Sequence, residues 1–216
     1  PKGLASASRA ASPLGHIENQ VPRTHFLAQI TPDGSLPTSV EQQGENELNI
    51  NGGDREGNNL FHSFEEFNLT TGSSVYFADP GVANIFSRVT GNNSSTIFGT
   101  LGVTGGDANL FLLNPNGIVF GENAQLDVGG SFIATTANSV KFQDGTEFIA
   151  DDAQEKPILT VSVPIGLQFE GNSGAIIVNG TKNGNQITYG TSESPTLIKD
   201  DANKISIESK QTLALI

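Results

Sequence analysis

The side chains that could do chemistry in this chain are few and mostly acidic. Beyond residue 28 the only arginines are Arg55 and Arg88, and the turn-like acids Asp107, Asp127, Asp144, Asp151 and Asp152 are scattered along the sequence with His62 far from any of them. Cleaving a polysaccharide takes convergent carboxylates, and a lyase adds Arg or Lys against the developing anion. These acids are scattered in turns between apolar runs, and no second ligand or triad partner is spaced to work with His62. The residues therefore point away from catalysis, with His62 read as a residue of an N-terminal cover. The Asp-rich nonapeptide that builds calcium β-rolls is absent, and Gly105-Gly106-Asp107 occurs once, so no metal site or cofactor is expected. There is no Cys among the 216 residues, which excludes disulfides, thiol nucleophiles and Cys-ligated zinc. With 11 Lys+Arg against 23 Asp+Glu, a net charge of −12, nothing could neutralise a run of phosphates, and no nucleic-acid partner is expected.

The elements that would position these residues are short. Apolar residues make up 36% of the chain, with 25 Gly and 10 Pro, and no stretch approaches the length of a membrane helix. From Gln29 onward, apolar runs are broken every six to ten residues by Gly, Asn, Asp or Pro. Ser74-Val75-Tyr76-Phe77, Asn84-Ile85-Phe86, Leu110-Phe111-Leu112-Leu113, Ile118-Val119-Phe120, Phe132-Ile133-Ala134 and Ile176-Ile177-Val178 have strand length and β-branched or aromatic content. No segment carries a helical stripe, so the class is all-β.

Hairpin signals are scarce, which argues against a sandwich. The runs centred on Leu112, Val119, Asp127 and Ile133 instead bring three strand-plus-turn steps back after about 21 residues, the rhythm of a stacked solenoid. At ~4.8 Å per coil, the 188 residues after residue 28 would make about nine coils and a rod of some 40 Å. Asn114-Pro115-Asn116-Gly117 suits a corner, with Pro115 fixing φ and Asn116 tolerating the left-handed region. Residues 29–70 look like a cover for the first coil, with the cluster Phe61/Phe64/Phe67 read as a short helix or hairpin plug, and 71–216 as the coils. Residues 1–28, with Lys2, Arg9 and Arg23 against Glu18, are set apart as a leader remnant or disordered arm. The absence of Met and the apolar run Leu213-Ala214-Leu215-Ile216 suggest a fragment cut from a longer rod.

Ala108-Asn109-Leu110-Phe111-Leu112-Leu113-Asn114-Pro115-Asn116-Gly117-Ile118-Val119-Phe120-Gly121 resembles the Asn-Pro-Asn-Gly-Ile motif of two-partner secretion domains, the N-terminal haemagglutination-activity domains of filamentous-haemagglutinin-like exoproteins. Similar to the family are also Asn84 to Gly91, with Arg88 inside it, and Gly129-Gly130-Ser131-Phe132-Ile133-Ala134. The opening Ile30 to Pro37 resembles the family's mature start, and Gly57 to Phe64 resembles the cyanobacterial members. The resemblance spans about residues 29–180. An earlier Asn-Pro motif of better-known members is replaced here by Asn92-Asn93-Ser94-Ser95, so no role of that turn is carried over.

The resemblance implies a right-handed parallel β-helix, three short strands per coil, with an N-terminal cap and a few extra-helical strands. It implies a secretion signal, captured while unfolded or partly folded by the POTRA domains of an outer-membrane TpsB-type transporter, on a protein exported through the periplasm to the surface of a Gram-negative-type bacterium. The motif Asn114, Pro115, Asn116, Gly117 and Ile118 would be the recognition element, supported by Asn84, Arg88, Asn109, Gly129, Gly130 and Phe132. The alternative is direct adhesion, a haemagglutinin-like module binding glycans or a host or neighbouring cell surface. In a bacterial setting the glycosylation-like triplets Asn68-Leu69-Thr70, Asn93-Ser94-Ser95 and Asn179-Gly180-Thr181 read as chance.

Overall fold

Runs rich in Val, Ile, Leu and Phe, broken by Gly and Asn, favour short pleated strands over helices because β-branched and aromatic side chains pack well on a pleat. The computed structural model describes residues 28–150, 156–171, 173–180, 186–189, 205 and 210–216, and no helix occurs among them. The strands stack in three parallel columns. The first holds β5 (Asn59–Leu69), β7 (Asn84–Val89), β10 (Asn109–Leu113), β13 (Phe132–Thr135) and β19 (Leu213–Leu215). The second runs from the end of β5 through β8 (Ser95–Ile97) and β11 (Ile118–Phe120) to β17 (Ile176–Asn179). The third holds β3 (Glu47–Gly52), β6 (Ser74–Ala78), β9 (Thr100–Thr104) and β12 (Gln125–Asp127).

Each strand thus lies on the one a full turn before it, and the chain winds a parallel β-solenoid of about four turns. Inward side chains fill the coil: Leu60, Ile85, Leu110 and Phe132 from the first column, Leu69, Ile97 and Phe120 from the second, Ile50, Phe77, Val75 and Leu101 from the third, all essentially without solvent contact. Burying each such side chain stabilises by roughly 1.5–3 kcal/mol.

The first edge of the solenoid is covered by antiparallel strands. β1 (Ala28–Pro32) and β4 (Asp54–Glu56) pair with β5, and β2 (Thr38–Gln42) pairs with β3. Such a cover removes an open row of backbone donors and acceptors that would template aggregation. A separate three-stranded antiparallel sheet, β14 (Ser139–Phe142), β15 (Glu147–Ile149) and β16 (Pro164–Gln168), lies outside the coils. It is inserted between β13 and β17, the first and second strands of the fourth turn. β17 also carries an antiparallel partner, β18 (Gln186–Tyr189).

The structure corrects four expectations. The coil is longer than about 21 residues: Leu110 pairs with Phe132, 22 positions on, but Glu47 pairs with Ser74, 27 positions on. There are about four turns and not nine, so the rod is roughly 20 Å long at ~4.8 Å per turn, because the antiparallel cover and the inserted sheet take chain that had been counted as coils. The cluster Phe61/Phe64/Phe67 is neither helix nor hairpin plug but part of the 11-residue strand β5, whose parallel pairing with β7 makes it a coil strand. Antiparallel pairing is also more common than the scarce hairpin signals suggested. Residues 1–27, Asp151 and Asp152 lie outside the described residues.

Candidate recognition corner and the polar nodes around it

At the end of β10 the chain must turn sharply to enter β11, and the four residues there fit that task. The Asn114 carbonyl accepts from Gly117 N at 3.0 Å, closing a β-turn, while Asn114 Oδ1 accepts from Asn116 N at 2.9 Å. Pro115 occupies the second position, where its ring presets φ. The residue with positive φ is Gly117 (φ 115°), not Asn116 as expected, since Lys210 is the one non-glycine with positive φ among the described residues. Asn at the first position and Gly at the fourth make this a type I pattern, which needs no left-handed residue at the third.

The corner is bonded into the turns on both sides. Asn114 Nδ2 donates back to Asn93 O (3.0 Å) and Ser95 Oγ (2.9 Å), and its backbone N donates forward to Thr135 O (3.0 Å). Asn116 Nδ2 donates to Gly91 O at 2.8 Å, and Pro115 O accepts from Gly174 N at 2.7 Å. Asn114, Gly117 and Ile118 are buried, Pro115 is half-buried and Asn116 is exposed. The segment Asn92 to Ser95 therefore supplies acceptors to the later corner, a use that sequence reading had not seen. Gly174 closes the other side, where an added Cβ would stand 2.3 Å from Asn116 C. Gly174→Ala is expected to lower stability by about 1–3 kcal/mol in urea unfolding, against no more than ~0.5 kcal/mol for Gly44→Ala, whose Cβ would meet nothing nearer than 3.9 Å.

Asn84 and Asn109 lie elsewhere, in a ladder with Asn59. Asn84 Nδ2 donates to Asn59 Oδ1 and Asn109 Nδ2 to Asn84 Oδ1, each at 3.0 Å and 25 residues apart, and Asn109 Oδ1 accepts from Ser131 N at 2.9 Å. Gly130 and Gly129 make the turn into β13, with backbone oxygens of Ala108 and Asp107 2.5 Å from where a Gly130 Cβ would stand. Phe132 is buried beside Phe120, ring centroids 6.2 Å apart.

Arg88 is the only strongly basic side chain wholly buried among the described residues. Its Nε donates to Ser63 Oγ at 2.7 Å, Nη2 to Ser35 Oγ at 3.1 Å and Nη1 to the Ile149 carbonyl, and its Cζ lies 5.2 Å from the Phe148 ring centroid. Ser63 and Thr90 in turn donate to Asp33 Oδ2 at 2.6 and 2.8 Å. Burial by itself would raise the Asp33 pKa, but hydrogen bonds from Ser63, Ser35 and Thr90 outweigh it and hold the carboxyl below its ordinary value. This node joins the cover, two coil strands and the inserted sheet.

His62 faces inward from β5, opposite Ser87 in the ladder. Thr38 Oγ1 lies 3.2 Å from Nδ1, while His62 Nε2 and Ser87 Oγ are buried with no hydrogen-bond partner. Burial lowers the His62 pKa from 6.5 to about 4. An unfolded chain takes up this proton as pH falls through 6.5, whereas the folded chain does so only near 4, so stability is full above 6.5 and declines between the two values. The decline from pH 7 to pH 5 is expected to reach about 2 kcal/mol in urea midpoints. A His62→Leu variant should lack it, and an unchanged slope in that variant would place the dependence elsewhere.

The coiled ladder, its antiparallel cover and the bonded corner define a capped parallel β-solenoid, and among the described residues no three His, Cys, Asp or Glu side chains gather as a metal site would need. The family model of the TPS secretion domain matches residues 28–216, and the chain belongs to that family. A heme/hemopexin-binding protein of Haemophilus influenzae (strain ATCC 51907 / DSM 11121 / KW20 / Rd) is 34% identical over 76 residues, which cover 35% of this chain and 8% of that protein. The chain thus matches less than a tenth of that relative's length. The crystal structure of a filamentous hemagglutinin secretion domain is 25% identical with a TM-score of 0.44, covering 51% of this chain and 43% of the other.

Proposed function

We propose that this domain is the secretion signal of a large two-partner-secretion exoprotein, bound before it folds by the POTRA domains of an outer-membrane TpsB-type transporter and folding into its solenoid as it emerges outside the cell. Secretion by a dedicated transporter is the general business of the family, which is a secretion and adhesin family and not an enzyme family, and the domain is assigned no catalytic role. The observation that carries recognition before folding is the burial of the motif: Asn114, Gly117 and Ile118 are covered in the wound solenoid, so a partner reading them together meets them only in the uncoiled chain.

Folding after passage is favoured by the same topology. Through β13 most coil strands pair with one 22 to 28 residues before them, so an emerging turn docks on a complete template. At ~0.1 kcal/mol per residue net, a turn contributes only about 2–3 kcal/mol, enough to bias diffusion through a pore. A chain without Cys cannot be trapped by periplasmic disulfides on the way. The test is export of the chain from a Gram-negative host with and without the cognate transporter. Transporter-dependent appearance in the medium is expected; equal export without the transporter overturns the reading.

A further inference from the structure

The solenoid and the inserted sheet have separate hydrophobic cores. The inner core holds Leu60, Ile85 and Leu110, while a second cluster on the outer face of the same strands joins Phe61, Phe86 and Leu113 to Val140, Phe142, Phe148 and Ala150. No residue belongs to both. No strand among β14, β15 and β16 pairs with a coil strand, so the sheet shares no backbone ladder with the coils. It is held by side chains: Phe148 and Phe142 lie 5.0 and 6.1 Å from Phe61, and Phe142 5.2 Å from Phe86. Polar ties come from Arg88 to Ile149 O, from Asn59 Nδ2 to Thr160 O (3.0 Å) and Ser162 O (2.8 Å), and from exposed Lys156 to half-buried Asp54.

We propose that the sheet of β14, β15 and β16 is a clasp that opens and recloses as one unit on a solenoid that stays wound. Two cores without shared members and without a common ladder form separable cooperative units, and the one with fewer buried side chains opens first. Opening uncovers a ledge of stacked rings, Phe61 on Phe86 at 5.2 Å and Phe86 on Phe111 at 4.6 Å, together with the Asn59 amide. Closing joins the cover and the first turns to residues 61 to 103 positions later in the chain.

The Cys-free chain makes the test direct. Two single-cysteine variants of the full chain, Ala150→Cys in the clasp core and Ser87→Cys in the inner core, are treated with a thiol reagent in native buffer. Ala150→Cys is expected to react at least tenfold faster, and adding Phe148→Leu is expected to raise that rate at least another tenfold while leaving Ser87→Cys unchanged. Equal rates, no reaction at either site, or a parallel rise at both overturns the proposal. Native-state amide exchange of the unsubstituted chain reads the same event without substitution. Amides of β14–β16 should exchange together and faster than those of β7 and β10, and a common rate overturns the clasp.

Discussion

Arg88→Ala is expected to cost about 3–5 kcal/mol of unfolding free energy, the largest loss of any single substitution considered, measured by urea denaturation at pH 7. The magnitude follows from leaving buried polar groups without their charged partner. Ser63 Oγ, Ser35 Oγ and the Ile149 carbonyl lose their donor at once, and Phe148 loses the guanidinium over its ring. Arg88→Lys should recover less than half of the loss, because an ammonium cannot serve three divergent acceptors and stack on a ring as a planar guanidinium does. A loss below about 1 kcal/mol, the scale of a surface pair, would mean that the node is not what ties the cover to the coils and the outer sheet.

Asn114→Ala is expected to cost about 2–4 kcal/mol. The buried amide makes three bonds at 2.9 to 3.0 Å, to Asn93 O, Ser95 Oγ and Asn116 N, and its removal orphans groups at the centre of two stacked turns. The same variant separates architecture from recognition. Gly174→Ala disturbs the corner from its other side without changing the motif, so it serves as a control in export. If the motif is read by the transporter, Asn114→Ala reduces export of a longer exoprotein well beyond a variant of matched stability. If the two fall together, the turn is purely architectural.

Much of this fold was legible because its strands are signalled locally. Runs such as Leu110-Phe111-Leu112-Leu113 and Ile118-Val119-Phe120 are strands wherever they are placed, and turn chemistry at Asn114 to Gly117 marks where the chain changes direction. The period was misjudged because Leu112 to Ile133 samples the shortest coil, whose pairing advances by 22 residues, while β5, β7 and β10 advance by 25. A better signal was present in the repeated triplet Asn59-Leu60-Phe61, Asn84-Ile85-Phe86 and Asn109-Leu110-Phe111. Each places an amide in the ladder, an aliphatic side chain inside and a ring outside.

The clasp was hidden for a physical reason. Val140 and Phe142 alternate with polar residues just as coil strands do, and period-two alternation reports one buried face without saying which core it enters. The role of Arg88 was equally hidden, since its acceptors come from Ser35, Ser63 and Ile149, which only tertiary folding brings together. The choice of Asn116 as the left-handed residue failed because the following Gly117 takes that conformation at no steric cost.

The most direct test places the chain over immobilised periplasmic domains of its transporter in buffers of rising urea, chosen so that the immobilised domains stay folded. Retention is predicted to rise in step with the fraction of chain unfolded and to fall when Asn114 is replaced, while the fully wound solenoid passes through. Retention of the wound solenoid, with none of the unfolded chain, would contradict recognition before folding.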